Sequence, residues 1–203
     1  MKRTKIVIGL HTSMEFLEEA QNDSSLIVFA FEPNKDLISK IYSKFEIPQN
    51  YIIIDKAVSN MNGKSPFYIC SLDSCSSLMN WGNGPKLGKM TKIEVECLRM
   101  DNFIKDNQIE NIEFVSIDTQ GNDLNVLCGF GEKIEIVEKG TCESLSKDTN
   151  WKLYENQPHF LDFVKFFKKN NFSISWDWNW GGAIQFNEIN IKFEKSKKLN
   201  KLI

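Results

Sequence analysis

Four carboxylates close short apolar runs in this 203-residue chain: Glu32, Asp55, Asp118 and Glu143. A further run, "KIVIGL" at Lys5–Leu10, leads into Gly9–Ser13, which carries His11. If these runs are parallel strands of an open sheet, all these residues gather at its carboxyl edge, where such sheets bind ligands. Carboxylates there can accept hydrogen bonds from hydroxyls and amines or take a proton from a reacting group. Each one alone could be a solvated cap. Four at corresponding ends point to one shared site.

The elements that must position them follow from hydrophobic periodicity. Short β-branched runs alternate with helical-period segments, the sign of βαβ units on a parallel sheet. Strands are expected at Lys5–Leu10, Leu26–Glu32, Tyr51–Asp55, Ile112–Asp118 and within 134–143. A helix is expected to start near Ser13, a second to be capped by Asn34, a short third by Asp101, and a fourth at Gly121–Gly129. Between Ala57 and Glu96 the text turns to Ser, Gly, Asn and Pro. It reads as a turn at Asn62–Gly63, a strand, a long loop and an alternating strand, "TKIEVECLRM". Phe160, Phe163, Val164 and Phe167 mark an amphipathic helix ending at Asn170–Asn171. Two last strands meet at Gly181–Gly182, a hairpin signal, and residues 195–203 form a basic tail. The expectation is one α/β domain over 1–203: a mostly parallel sheet with helices on both faces and an antiparallel hairpin at its end.

Composition narrows the functions. Apolar residues are 41 %, charged residues 26 %, and the net charge is −2, so no strong field gathers nucleic acid or anionic lipid. Only Arg3 and Arg99 carry a guanidinium, leaving few bidentate phosphate binders. No apolar run is long enough to span a bilayer. The five cysteines are odd in number and never spaced as CxxC, which fits reduced thiols and a cytoplasmic location better than a disulfide or zinc framework. No metal is expected, because Asp118 and Asp123 alone make a poor cation site. The oligomeric state is not readable.

Position assigns chemistry to the carboxylates. Glu32, at the end of the second strand, can accept from both ribose hydroxyls of an adenosine ligand. Asp55 lies where an adenine amino group would arrive, and the main chain at Lys56 and Ala57 could read the ring edge. Asp55 fits a turn-capping role equally well. Gly121 permits close backbone approach, while Asp123 suits the positive end of a helix dipole. Trp176, Trp178 and Trp180 share one strand face, either as a packing stripe or as a stacking platform for a sugar.

The ordered segments "VFAFEPN", "IIIDKAVSNMNG", "IEVECLRMDNFI" and "FVSIDTQGNDLNVLCGF", with the later "TCES", resemble the FkbM-type methyltransferases. The similarity spans roughly residues 5–195. It implies a Rossmann-like class I methyltransferase sheet, in which a reversed seventh strand is inserted beside the sixth. It also implies S-adenosylmethionine as cofactor and methyl transfer to a hydroxyl oxygen of a sugar or related small molecule. Carried over by position, Gly9, His11 and Ser13 lie in the first motif. Glu32 binds ribose, Asp55, Lys56 and Ala57 face adenine, and Asp118 lies beside the methyl group. Asp118, Glu143 and His11 are the candidate bases. The chain departs from the family pattern at Val7 and Ser13, where an acid and a Gly are usual. It departs again at Ser116, Gln120 and Asp123, where Lys, Glu and a longer Glu are usual. These departures leave open a module that keeps the fold without cofactor turnover and serves as a partner-binding or scaffold protein. A dehydrogenase is disfavoured, because "GLHTS" lacks the GxGxxG spacing.

Overall fold

The computed structural model describes residues 3–146, 151–178 and 188–196. The chain opens with β1 (Arg3–Ile8), α1 (Leu17–Asn22), β2 (Leu26–Phe31), α2 (Lys35–Lys44) and β3 (Tyr51–Ile54). A small excursion follows through β4 (Ala57–Val58), β5 (Gly63–Cys70) and β6 (Met90–Leu98). The chain then returns through α3 (Met100–Asp106), β7 (Phe114–Ile117), α4 (Asp123–Gly129) and β8 (Lys139–Leu145). It closes with α5 (Phe160–Lys169), β9 (Phe172–Trp178) and β10 (Glu188–Lys195).

Seven strands form the main sheet in the order β3-β2-β1-β7-β8-β10-β9. The first five are mutually parallel, and β10 runs antiparallel to both β8 and β9. The order reverses beside β1, so the loops after β1 and β7 diverge and leave a crevice at the carboxyl edge. A second sheet, β4-β6-β5, stands over that edge.

β1 shows why an uninterrupted apolar run belongs at the centre. Ile6 and Ile8 pack with Met100 and Ile104 of α3, Val126 and Leu127 of α4, and Phe163 and Phe167 of α5. Val7 points the other way, to Ala20 of α1 and Ile41 of α2. Alternate side chains of a strand face opposite sides, so both faces are covered by helices. At the opposite edge, Arg3 bonds Glu19, Asp23 and Glu113 at 2.7–2.9 Å, tying α1 to the strand entries. The five cysteines are free, and four of them are buried. No helix among the described residues is long and apolar enough to cross a membrane.

Several expectations need correction. The first helix starts at Leu17, not near Ser13, whose hydroxyl instead donates to the Leu10 carbonyl. Asp101 lies inside the first turn of α3 and pairs with Arg99, the residue that precedes the helix. The fifth core strand is Lys139–Leu145, because Gly131–Ile136 coils into a 3-10 turn. Apolar alternation reads alike in both conformations over so short a stretch. The hairpin turn at Gly181–Gly182, Trp180 and residues 197–203 of the tail lie outside the described residues.

Phe163 is 1 % exposed at the centre of the α5 face. Phe163→Ala is expected to cost about 3–5 kcal/mol and to lower the urea midpoint with the slope unchanged.

Candidate functional site

Glu32 lies one residue beyond β2 and is 5 % exposed, and among the described residues no cationic side chain bonds it. Its Oε1 accepts from the Asn34 backbone amide at 2.9 Å, and its Oε2 accepts from the His11 amide at 3.0 Å. One carboxylate therefore pins the β2–α2 turn to the β1–α1 loop. Burial raises its pKa, and the two amides oppose that rise. Asn34 in turn caps α2, accepting from Asp36 N.

The β1–α1 loop is tight. Gly9 has φ +86°, and a Cβ there would stand 1.8 Å from the Asp118 carbonyl oxygen. Only glycine fits. His11, Met14 and Phe16 also have positive φ, at 46°, 49° and 63°. Such residues cost energy and persist where the surroundings over-determine them. Here the bond from His11 N to Glu32 supplies part of that constraint. The His11 ring reaches across the crevice, its Nε2 3.3 Å from Asp73 Oδ1 in a geometry that completes no hydrogen bond.

Asp118 follows β7. Gln120 donates from Nε2 to Asp118 Oδ1 at 2.8 Å, and Tyr154 Oη lies 2.9 Å from Gln120 Oε1. Asp118 is exposed to the solvent of the crevice, while the protein crowding its other sides raises its pKa against the Gln120 bond. Asp123 is 1 % exposed and has a structural post. It accepts from the Thr119 amide and hydroxyl and from the Glu143 amide, at 2.9, 2.6 and 2.7 Å. These bonds fasten the β7–α4 loop to β8. Burial, then the charge of Asp118, pushes Asp123 up to about 7. Glu188, the first residue of β10, is also pushed up to about 7 by burial and then by Asp118.

These loops line a crevice of about 150 Å³ that opens to solvent. Gly9, His11, Ser13, Glu32, Lys56, Ala57 and Asp118 all line it, so sequence reasoning brought seven residues to one place. Its apolar wall comes from Leu10, Phe31, Leu37, Val58 and Phe67.

Two candidates are not part of it. Asp55 is exposed and lies 3.4 Å from Lys35 Nζ, in a separate groove beside α2. The backbone turns there, with Lys56 N donating to the Ile54 carbonyl, and the turn carries Asp55 outward. Glu143 does not line the crevice. β8 continues to Leu145, so Glu143 is not at its end, and its backbone amide serves Asp123. Asp73, Gln120 and Asn122 line the crevice without having been singled out as ligand groups. Of the proposed tryptophan platform, Trp176 is 51 % exposed and packs against Phe160, which favours the packing stripe.

The arrangement suits a ligand with hydroxyls near Glu32, a flat apolar part along the wall and a reacting group near Asp118. The methyltransferase FkbM domain profile matches residues 7–174. The chain therefore belongs to the FkbM methyltransferase family. The structure resembles M. capricolum TrmK in complex with its natural cofactor product S-adenosyl-homocysteine. That match has 14 % identity and a TM-score of 0.53, covering 98 % of this chain and 66 % of that one. This chain thus spans just under two thirds of TrmK. It also resembles the precorrin-6y C5,15-methyltransferase of Geobacter metallireducens GS-15, with 9 % identity and a TM-score of 0.50 over 97 % of this chain and 81 % of that one. At such identities the likeness is one of fold. No curated protein matches the sequence.

Gly9→Ala should cost at least about 2 kcal/mol, since it adds strain at positive φ to a backbone clash; urea unfolding measures it. Asp123 and Glu188 hold protons when folded that they release when unfolded. Stability from this source is therefore full below about pH 4 and lost as pH rises toward about 7. Asp123→Asn should flatten that slope in unfolding measured across the same window. It should also lower stability throughout, because one amide oxygen cannot replace two carboxylate oxygens serving the Thr119 and Glu143 donors.

Proposed function

We propose that the protein is an S-adenosylmethionine-dependent methyltransferase acting on a hydroxyl oxygen of a sugar or related small molecule. The observation that carries this reading is Glu32: a buried carboxylate on the crevice wall, anchored by two backbone amides rather than by a cation. Each carboxylate oxygen has a second lone-pair site, so the group can still accept from two adjacent hydroxyls, as a ribose presents.

The residues present fit the cofactor. Gly9 lets the β1–α1 loop pack on the Asp118 backbone beside the crevice, the His11 Nε2 has no hydrogen-bond partner among the described residues, and the Phe31–Leu37–Val58 wall suits a purine. Glu32 would hold the ribose, the segment Lys56–Ala57 would border the adenine, and Gly9 to Ser13 with Asp118 would surround the methionyl end. S-adenosylmethionine, when bound, supplies an electrophilic methyl group on a sulfonium. Asp118, on the same crevice wall, would receive the hydroxyl proton of the acceptor. His11 is placed to orient the acceptor, facing Asp73 across the crevice. The rest of catalysis is positioning, which is most of what methyl transfer requires of a protein.

Calorimetry with S-adenosylmethionine and S-adenosylhomocysteine tests this. Binding in the micromolar range is expected, weakened at least about tenfold in Glu32→Gln, which loses one charge-assisted acceptor. Absence of binding at millimolar ligand would instead favour the partner-binding module, consistent with Val7 and Ser13 in the first motif.

A further inference from the structure

The chain of hydrogen bonds behind Asp118 has one proton fewer than its contacts require. Tyr154 Oη lies 2.9 Å from Gln120 Oε1 and 3.1 Å from the Cys75 carbonyl oxygen, both acceptors, yet a phenol has a single proton to donate. The ring cannot swing away. It is fully buried, stacks on Trp81 with centroids 5.4 Å apart, and packs so closely on Gly121 that a Cβ there would come within 2.7 Å of a ring carbon.

Two arrangements satisfy this geometry. With Asp118 ionised, Gln120 Nε2 donates to it and the Tyr154 hydroxyl donates to Gln120 Oε1, leaving the Cys75 carbonyl the weaker partner. With Asp118 protonated, Asp118 donates to Gln120 Oε1, the amide having turned over. Gln120 Nε2 then donates to the Tyr154 oxygen, and the Tyr154 proton goes wholly to the Cys75 carbonyl. The second arrangement pairs every group. An amide can exchange its two ends in this way, whereas a carboxylate at position 120 would oppose Asp118 directly.

We infer that Gln120 and Tyr154 form a reversible relay that couples the proton on Asp118 to the hydrogen bond at the Cys75 carbonyl. This rests on Asp118 being the proton acceptor in the methyl-transfer reading. In that step the O–H bond of the acceptor hydroxyl breaks, its electron pair stays on the acceptor oxygen, and the proton forms a new bond to Asp118. Gln120 and Tyr154 are positioning residues: neither gains nor loses a proton overall. Other groups also face Asp118 electrostatically, namely His11 from the β1–α1 loop, Asp123 from α4 and Glu188 from β10. They set where the titration falls, and the relay sets what moves with it.

The test is a carbon-13 NMR titration of the full chain, without ligand, run upward from the ordinary carboxylate range. It follows the Asp118 carboxyl and the Cys75 carbonyl, with Asp118→Asn for assignment. The relay predicts that the Cys75 carbonyl shifts with the same midpoint as Asp118. It also predicts that Tyr154→Phe, which keeps the ring, abolishes the shift at Cys75 while Asp118 still titrates. A Cys75 signal that stays flat in the native chain, or that shifts equally in Tyr154→Phe, overturns the relay. Binding of S-adenosylhomocysteine, measured on the same samples, separates the two ideas. Binding with a flat Cys75 signal removes the relay alone, and a coupled titration without binding removes the methyl-transfer reading alone.

Discussion

The site depends on one buried charge. Glu32 gives up most of its hydration, and its two backbone donors come from different loops. Charge-assisted bonds of this kind are stronger than neutral ones, and an unpaired buried carboxylate would be costly. Both loops are therefore held where their amides can reach it. The consequences spread outward: the left-handed His11 is fixed, the β1–α1 loop stays against Asp118, and Asn34 is placed to cap α2. A Lys or Arg partner would have satisfied the charge more simply. It would also have consumed the lone pairs that Glu32 keeps free toward the crevice.

The second anchor, Asp123, works in the same manner on the other side of the crevice. It uses both oxygens on backbone amides and binds the β7–α4 loop to β8. Between the two anchors lies Asp118, whose charge raises the pKa of both Asp123 and Glu188. Carboxylates enclosed this closely cannot all ionise at low cost, so at least one is poised to exchange a proton near neutrality. The acidic character of the site is thus a property of the group rather than of one residue.

How much of this was legible in the sequence follows from which rule applied. The parallel strands were visible because runs buried on both faces are continuously apolar, and of the residues the strand-end rule nominated, Gly9, His11, Ser13, Glu32 and Asp118 line one crevice. It failed at Asp55, where a three-residue turn reverses the direction of the side chain. It failed at Glu143, where a 3-10 turn displaced the strand and its true end. Glu188 was invisible for a different reason. It begins an antiparallel strand, whose amino end shares the edge where its parallel neighbours end. Tyr154 and Asp73 come from irregular segments in which no periodicity fixes where a side chain arrives. The departures at Val7 and Gln120 make sense only in three dimensions. Val7 is buried among Ala20, Val28 and Ile41, where an acid would lack water, and Gln120 serves an acceptor and a donor at once.

In the proposed function, loops from four strands form one adenosyl site around Glu32. Hydrogen–deuterium exchange with and without S-adenosylhomocysteine tests it most directly, since ligand contact lowers local opening. Added protection is expected in four segments together: 9–13, 32–34, 56–59 and 118–122. Protection confined to one of them, or appearing only at the α5–β9 side of the sheet, would contradict it.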